Sequence, residues 1–174
     1  MEVHRFSTEI EELIEFLTSH SWPYHQETNA NAQTIKMRFE QGYFTKNNET
    51  FWVTKNKKKI GLLIIFDIED SIVLFDLRLL PTEQGKGYGV DVLKWLQNYL
   101  FQQSTIHRIE GYTRSDNIAM RKCFVKAGFV KEGYLRGAWE NADGSMSDTI
   151  IFGAIKKDWE NKCITPVNMG ESLY

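Results

Sequence analysis

The sequence predicts an α/β (α+β) fold in which about seven strands form one mixed, mostly antiparallel sheet and about four helices flank it. Runs rich in β-branched and aromatic residues recur along the chain, and between them lie segments whose apolar residues repeat at helical spacing. The separators between the central β-rich runs are short enough only for hairpins. With 174 residues, 42% of them hydrophobic, the chain has the material for one core and not for two.

The elements follow in order. Val3 to Phe6 reads as a short strand. Ile10, Leu13, Ile14 and Leu17 then mark an amphipathic helix, with Thr8 and Glu11 as its capping box. Ser19 to Asn31 breaks the period and carries Trp22, Tyr24 and His25, so it reads as a loop with large side chains. A second helix is expected from Ala32 to Gln41, stopped by Gly42. Thr50 to Thr54, Ile60 to Ile68 and Ile72 to Leu80 form an antiparallel meander, joined through Lys55 to Lys59 and Glu69 to Ser71. The lysine run reads as a solvated turn in preference to a phosphate-binding patch. Tyr88 to Phe101 is helical, His107 to Thr113 a strand, and Asn117 to Lys126 a helix ended by Gly128. Phe129 to Trp139 and Met146 to Ile155 are strands around an Asp143-Gly144 turn. Residues 1–157 are expected to form the domain, and 158–174 a tail packed on it or on a partner.

Charge and cysteine usage narrow the function classes. The 21 Lys and Arg against 23 Asp and Glu give a formal charge of -2, without the global basic excess of nucleic-acid binders. Cys123 and Cys163 lack the CxxC spacing of metal and redox sites, so neither a metal site nor an oxidising compartment is signalled. No apolar h-region opens the chain and no stretch approaches roughly 18 uninterrupted apolar residues, so the reading is a cytoplasmic protein with no membrane partner.

The segment Leu77 to Gly89, LRLLPTEQGKGYG, runs from a strand through a glycine-rich turn into a helix. Glycines at 85, 87 and 89 leave backbone N–H groups free to converge on an anion at a helix N-terminus, so a phosphate or pyrophosphate is the expected occupant. The P-loop and dinucleotide-binding spacings both fail here. The hexapeptide Gln84-Gly85-Lys86-Gly87-Tyr88-Gly89 instead fits Arg/Gln-x-x-Gly-x-Gly/Ala, and so resembles the signature of the GNAT acyltransferase superfamily. Asn117-Ile118-Ala119-Met120, leading to Phe124, Lys126, Gly128 and Phe129, resembles that family's second motif. The likeness spans roughly Val3 to Lys157. Trp139, the DG turn and Asp158-Trp159 look most like its RimJ/RimL-type branch.

The resemblance implies acetyl-CoA as co-substrate, a primary amine as acceptor, direct attack in a ternary complex, and a monomer or homodimer. It places the cofactor against Leu79, Leu80, Gln84, Gly85, Lys86, Gly87, Tyr88, Gly89, Asn117, Met120 and Phe124, with an oxyanion donor among the backbone N–H groups of Leu77 and Leu79. Asn117 reads equally as a plain helix N-cap. The glutamate that family members often carry on the fourth strand falls here on Val73, and the tyrosine that protonates the leaving thiolate falls on Phe124. Glu110, with Tyr112 on the same strand face, and Asp76 are therefore the candidate acid-base residues; His25 and His107 can also accept a proton near neutral pH. Trp22, Tyr24, His25 and Trp139 are candidate walls of the acceptor pocket, where rings and carboxylates suit a cationic amine, or else they cap the core. The acceptor classes are a protein N-terminus, a polyamine or aminoglycoside, and an amino-acid-like metabolite. A non-catalytic acyl-CoA-binding module is the rival.

Overall fold

The computed structural model describes residues 1–25 and 27–168. Its elements are β1 (Glu2–Arg5), α1 (Ile10–Thr18), α2 (Ala32–Glu40), β2 (Asn48–Lys55), β3 (Lys58–Phe66), β4 (Ile72–Leu79), α3 (Tyr88–Phe101), β5 (Arg108–Arg114), α4 (Ile118–Lys126), β6 (Val130–Glu140), β7 (Met146–Ile155) and α5 (Lys156–Asn161). One seven-stranded sheet has the order β1-β2-β3-β4-β5-β7-β6. Every neighbouring pair is antiparallel except β4 and β5. Those two are joined through α3, the crossover that a parallel pair requires.

Two apolar layers sandwich the sheet. On one face α3 and α4 press Val92, Leu93, Leu96 and Phe124 onto Val73, Ile109 and Phe152. On the other, α1 and α2 bury Leu13, Phe16 and Ile35 against Trp52, Leu62 and Ile64. Burying side chains of this size contributes about 1.5–3 kcal/mol each. Strand alternation sends Phe75, Leu77 and Leu79 of β4 toward α3, and leaves Asp76 and Arg78 for the α1–α2 face.

The β2–β3 hairpin turns on Asn56 and Lys57, both with positive φ (49° and 65°), the conformation a tight two-residue hairpin needs. Its lysines do more than meet solvent. Lys59 pairs with Glu12 at 2.6 Å and lies 4.1 Å over the Trp52 ring, while Lys55 bonds the Tyr88 hydroxyl at the start of α3.

Two expectations are corrected. The Thr8–Glu11 capping box is absent: Glu9 is the N-cap of α1, and its carboxylate takes the N–H groups of Ser7 and Thr8 at 2.9 and 3.0 Å. Residues from Lys156 form a short fifth helix. Six residues are too few for a period to register, and α5 is held by tertiary contacts: Trp159 Nε1 donates to Asn98 Oδ1 at 2.8 Å and its ring lies 5.9 Å from Phe101. Trp22 is core, 3% exposed, packed on Phe16 and donating its indole N–H to the Leu17 carbonyl at 2.9 Å. The end of the expected tail, 169–174, lies outside the described residues. No described helix is long and apolar enough to cross a membrane.

Candidate active site

The sheet opens between its two parallel strands. β4 and β5 pair only at Ile72↔Arg108, Val73↔Ile109 and Leu74↔Glu110, although β4 continues to Leu79 and β5 to Arg114. Beyond Leu74 the strands diverge around a cavity of about 370 Å³. Leu80 N–H donates to Ile60 O at 2.9 Å, so antiparallel alternation directs the even-numbered N–H groups of β4 to β3. The N–H groups of Leu77 and Leu79 therefore point the other way, toward the gap. The Leu79 carbonyl on that side accepts from Gln84 Nε2 at 3.1 Å, which ties the following turn to the strand.

Phe124 explains why the gap has an apolar floor. A Cβ on Gly111 of β5 would lie 2.3 Å from the Phe124 ring, so glycine is what lets that ring seat itself in the diverging sheet. Phe124 is buried and stacked on Phe152 at 4.6 Å. Asn117 both caps α4, accepting from Met120 N–H at 3.1 Å, and lines the cavity with Met120. The two readings of Asn117 are compatible.

The glycine turn lies at the N-terminal end of α3. Gly85 and Gly87 have φ of 76° and 92°, and nothing lies within 4 Å of where their Cβ atoms would stand. Val90 and Asp91 return their N–H groups to the Gly87 carbonyl at 3.0 and 3.2 Å. The N–H groups of Tyr88 and Gly89, at the head of the helix, have no carbonyl one turn back to meet. Gly89 has a different reason to be small: its Cβ would stand 3.1 Å from Cys123 Sγ, where α3 meets α4. Lys86 pairs with Glu83 at 3.1 Å and is half exposed. The turn is a shallow concavity of amide hydrogens at a helix dipole's positive end, suited to a phosphate group.

The opposite wall, on the α1–α2 side, is charged. Asp76 accepts from Arg78 Nε and Nη2 at 3.3 and 3.2 Å and lies 3.3 Å from His25 Nδ1. Burial pushes the Asp76 carboxyl up, but the charge and hydrogen bonds of His25 and Arg78 outweigh it and hold the group well below the ordinary carboxylate range. Glu27 pairs with Arg38 at 2.6 Å, and Tyr43 stands beside them, its phenol raised by burial and then by Asp76. Tyr24, His25 and Trp139 line the cavity; Trp22 lies behind it.

Glu110 and Tyr112 share a face, with the Tyr112 hydroxyl donating to Glu110 at 2.8 Å. Tyr112 reaches the cavity and Glu110 does not. Burial would raise the Glu110 carboxyl, but Arg108, 2.7 Å away, and the Tyr112 hydroxyl hold it below its usual value. His107 sits before β5 and is no part of the cavity wall. Arg38, Arg78, Glu27 and Tyr43 went unread in the sequence. Arg78 had a signal, its i+2 spacing from Asp76 on a strand; the others come from a distant loop and helix. Among the described residues no cluster of His, Cys, Asp or Glu is arranged to hold a metal ion.

Comparison with known proteins agrees with this arrangement. A family model described as an acetyltransferase (GNAT) domain matches residues 3–130. An uncharacterized N-acetyltransferase, p20, of Bacillus licheniformis is 31% identical over 75 residues, 43% of this chain and 42% of its own. A probable N-acetyltransferase, YjcK, of Bacillus subtilis is 33% identical over 63 residues, 33% of this chain and 35% of its own. The matches thus span less than half of these relatives. Among solved structures, a spermidine N-acetyltransferase chimera of Vibrio cholerae SpeG and hSSAT superposes with a TM-score of 0.78 at 18% identity, covering 92% of this chain and 99% of that one. A dodecameric spermidine N-acetyltransferase from Vibrio cholerae gives 0.76 at 17%, covering 92% and 96%. At these identities the structural likeness establishes the fold.

Proposed function

Because the chain belongs to the GNAT acetyltransferase family, we propose that it moves an acetyl group from acetyl-CoA to a primary amine by direct attack in a ternary complex. The observation that carries this reading is the β4–β5 gap: a cavity with a wall of charged side chains opens there, and β4 runs on through Leu79 into the turn of backbone donors. The amides of Gly85 to Gly89 suit the CoA pyrophosphate, Gln84 braces that turn, and Lys86, Tyr88 and Leu80 flank it. Leu79, Asn117, Met120 and Phe124 would line the path of the pantetheine arm. Acetyl-CoA supplies the activated acetyl group as a thioester.

The chain's own residues then have three tasks. The Leu77 and Leu79 N–H groups, free of β3, are suited to receive the negative charge that develops on the carbonyl oxygen. The acceptor ammonium must lose a proton before it attacks, and we assign that proton to His25, with Asp76 as the group that orients the ring. The C–N bond forms as the C–S bond breaks. With Phe124 in place of a hydroxyl donor, water protonates the departing thiolate; a thiol of pKa about 8.5 is a tolerable leaving group unassisted.

A protein N-terminus, as in the RimJ/RimL-like branch, and a small amine are the acceptor classes. Fold likeness to spermidine acetyltransferases favours a polyamine as the second reading. The proposal is tested at Gly87. Gly87→Glu places a carboxylate and a strained backbone where the pyrophosphate is expected, and calorimetry should show CoA binding at least about 100-fold weaker. Binding equal to the parent's would remove the site. Thiol release across an amine panel separates an enzyme from a module that binds acyl-CoA without turnover.

A further inference from the structure

The charges and rings on the acceptor side of the cavity are already matched to one another. Its two carboxylates are already paired within the same wall: Arg38 lies 2.6 Å from Glu27, and Arg78 and His25 Nδ1 lie 3.2 and 3.3 Å from Asp76. Three rings of this region are met in the same way. Arg38 stands 5.6 Å over Tyr43, Arg78 5.5 Å over Trp22, and Arg114 5.2 Å over Tyr24. A polyamine holds itself by carboxylates and open ring faces, and those named here are each engaged by a guanidinium. It would also add two or more positive charges to a wall whose cations already equal or outnumber its anions.

What the wall offers is hydrogen-bond donors. A guanidinium carries five N–H groups in a planar fork that matches a carboxylate. Arg38 gives Glu27 its Nη1, and its side chain, 38% exposed, lines the cavity. One guanidinium between two carboxylates is chemically ordinary, because the fork has two edges.

From this pairing of the Glu27 and Asp76 carboxylates with Arg38 and Arg78 we infer that the acceptor is an amine bearing a carboxylate within a few bonds of its nitrogen, with Arg38 as the group that receives it. The inference rests on the acetyl-transfer reading of the same cavity and deepens it. The carboxylate has two sources: the α-carboxylate of a free amino acid, or an acidic side chain at a peptide N-terminus.

The experiment is a calorimetric titration of the CoA-saturated protein with matched pairs, and with spermidine. Free amino acids against their amides test the first source, and Asp-Ala-amide against Asn-Ala-amide tests the second. One acid or more is expected to bind at least tenfold tighter than its uncharged partner and tighter than spermidine. Arg38→Gln is expected to bring that ratio below threefold, and Arg38→Lys, which keeps charge without the fork, to leave an intermediate ratio; melting temperature and CoA affinity confirm that both variants fold. Spermidine binding tighter than every acid, acids binding no better than their amides, or a ratio unmoved in Arg38→Gln each overturns the inference. Thiol release is measured with the same pairs. Acid-selective binding without thiol release overturns the acetyl-transfer reading and leaves the carboxylate site standing.

Discussion

On the α3–α4 side of the β4–β5 gap, the groups suited to recognition are main chain: the amides of the glycine turn, and the Leu77 and Leu79 N–H groups that β3 does not use. On the α1–α2 side they are side chains from a loop, a helix and a strand, held in pairs: Glu27 with Arg38, and Asp76 with Arg78 and His25. The first side depends on small residues and close packing, and its stability should be indifferent to pH. The second depends on charge, and pH should reach it. A phosphate group can be met by dipoles that exist in any fold with a helix N-terminus; a particular amine needs residues drawn from several places.

Gly111→Val should have the largest effect and should behave as a packing defect. The added Cβ would stand 2.3 Å from a buried ring stacked on Phe152, so neither ring has room to yield. Overpacking of this kind costs about 3 kcal/mol, and in a domain of this length lowers the melting temperature by roughly 6–12 °C. Urea titration should find the same loss at pH 7 and pH 4. A loss below about 0.5 kcal/mol would mean that the Phe124 seat is soft.

Asp76→Asn should cost less, about 2 kcal/mol at pH 7, and should depend on pH where Gly111→Val does not. The folded pKa of Asp76 is lowered. Its ionised form therefore stabilises the fold above the unfolded carboxyl pKa of about 3.9, and that contribution falls by about 1.4 kcal/mol for each pH unit below it. The gap between parent and variant should be flat from pH 7 to pH 5 and then close. A gap that stays constant down to pH 3 would show that the carboxylate charge contributes nothing to stability.

The same contrast governs what was legible in the sequence. The glycine turn could be read because its three glycines lie within five positions and their cause is local. The strand order could be read because period and turn chemistry are local as well. Asp76 and His25 were each singled out, but their pairing joins a strand to a loop far away in sequence, and no spacing encodes it. The arginines over Tyr24, Tyr43 and Trp22 were invisible for that reason. Helix α5 and the start of α1 were illegible on a smaller scale: six residues held by Trp159 carry no period, and the N-cap is Glu9, one residue past Thr8, with no side-chain bond into the helix.

Glu110→Gln should have the smallest effect, and it separates the two carboxylates that the sequence offers as bases. Arg108 sits between Glu110 at 2.7 Å and Glu132, to which it gives both terminal nitrogens, so it keeps a carboxylate partner when Glu110 is neutralised. Glutamine can still accept from the Tyr112 hydroxyl. Because the Arg108–Glu132 pair and the Tyr112 bond both survive, the loss should stay below about 1 kcal/mol. Melting temperature should fall by no more than roughly 3 °C. Thiol release should keep its rate within about twofold, whereas His25→Gln, which removes the group assigned to take the acceptor proton, should lose turnover roughly 100-fold or more at unchanged melting temperature. A tenfold fall in turnover for Glu110→Gln at unchanged melting temperature would reverse the assignment. Tyr112, which reaches the cavity while bonded to Glu110, would then be the route by which a proton leaves the acceptor for a carboxylate outside the wall.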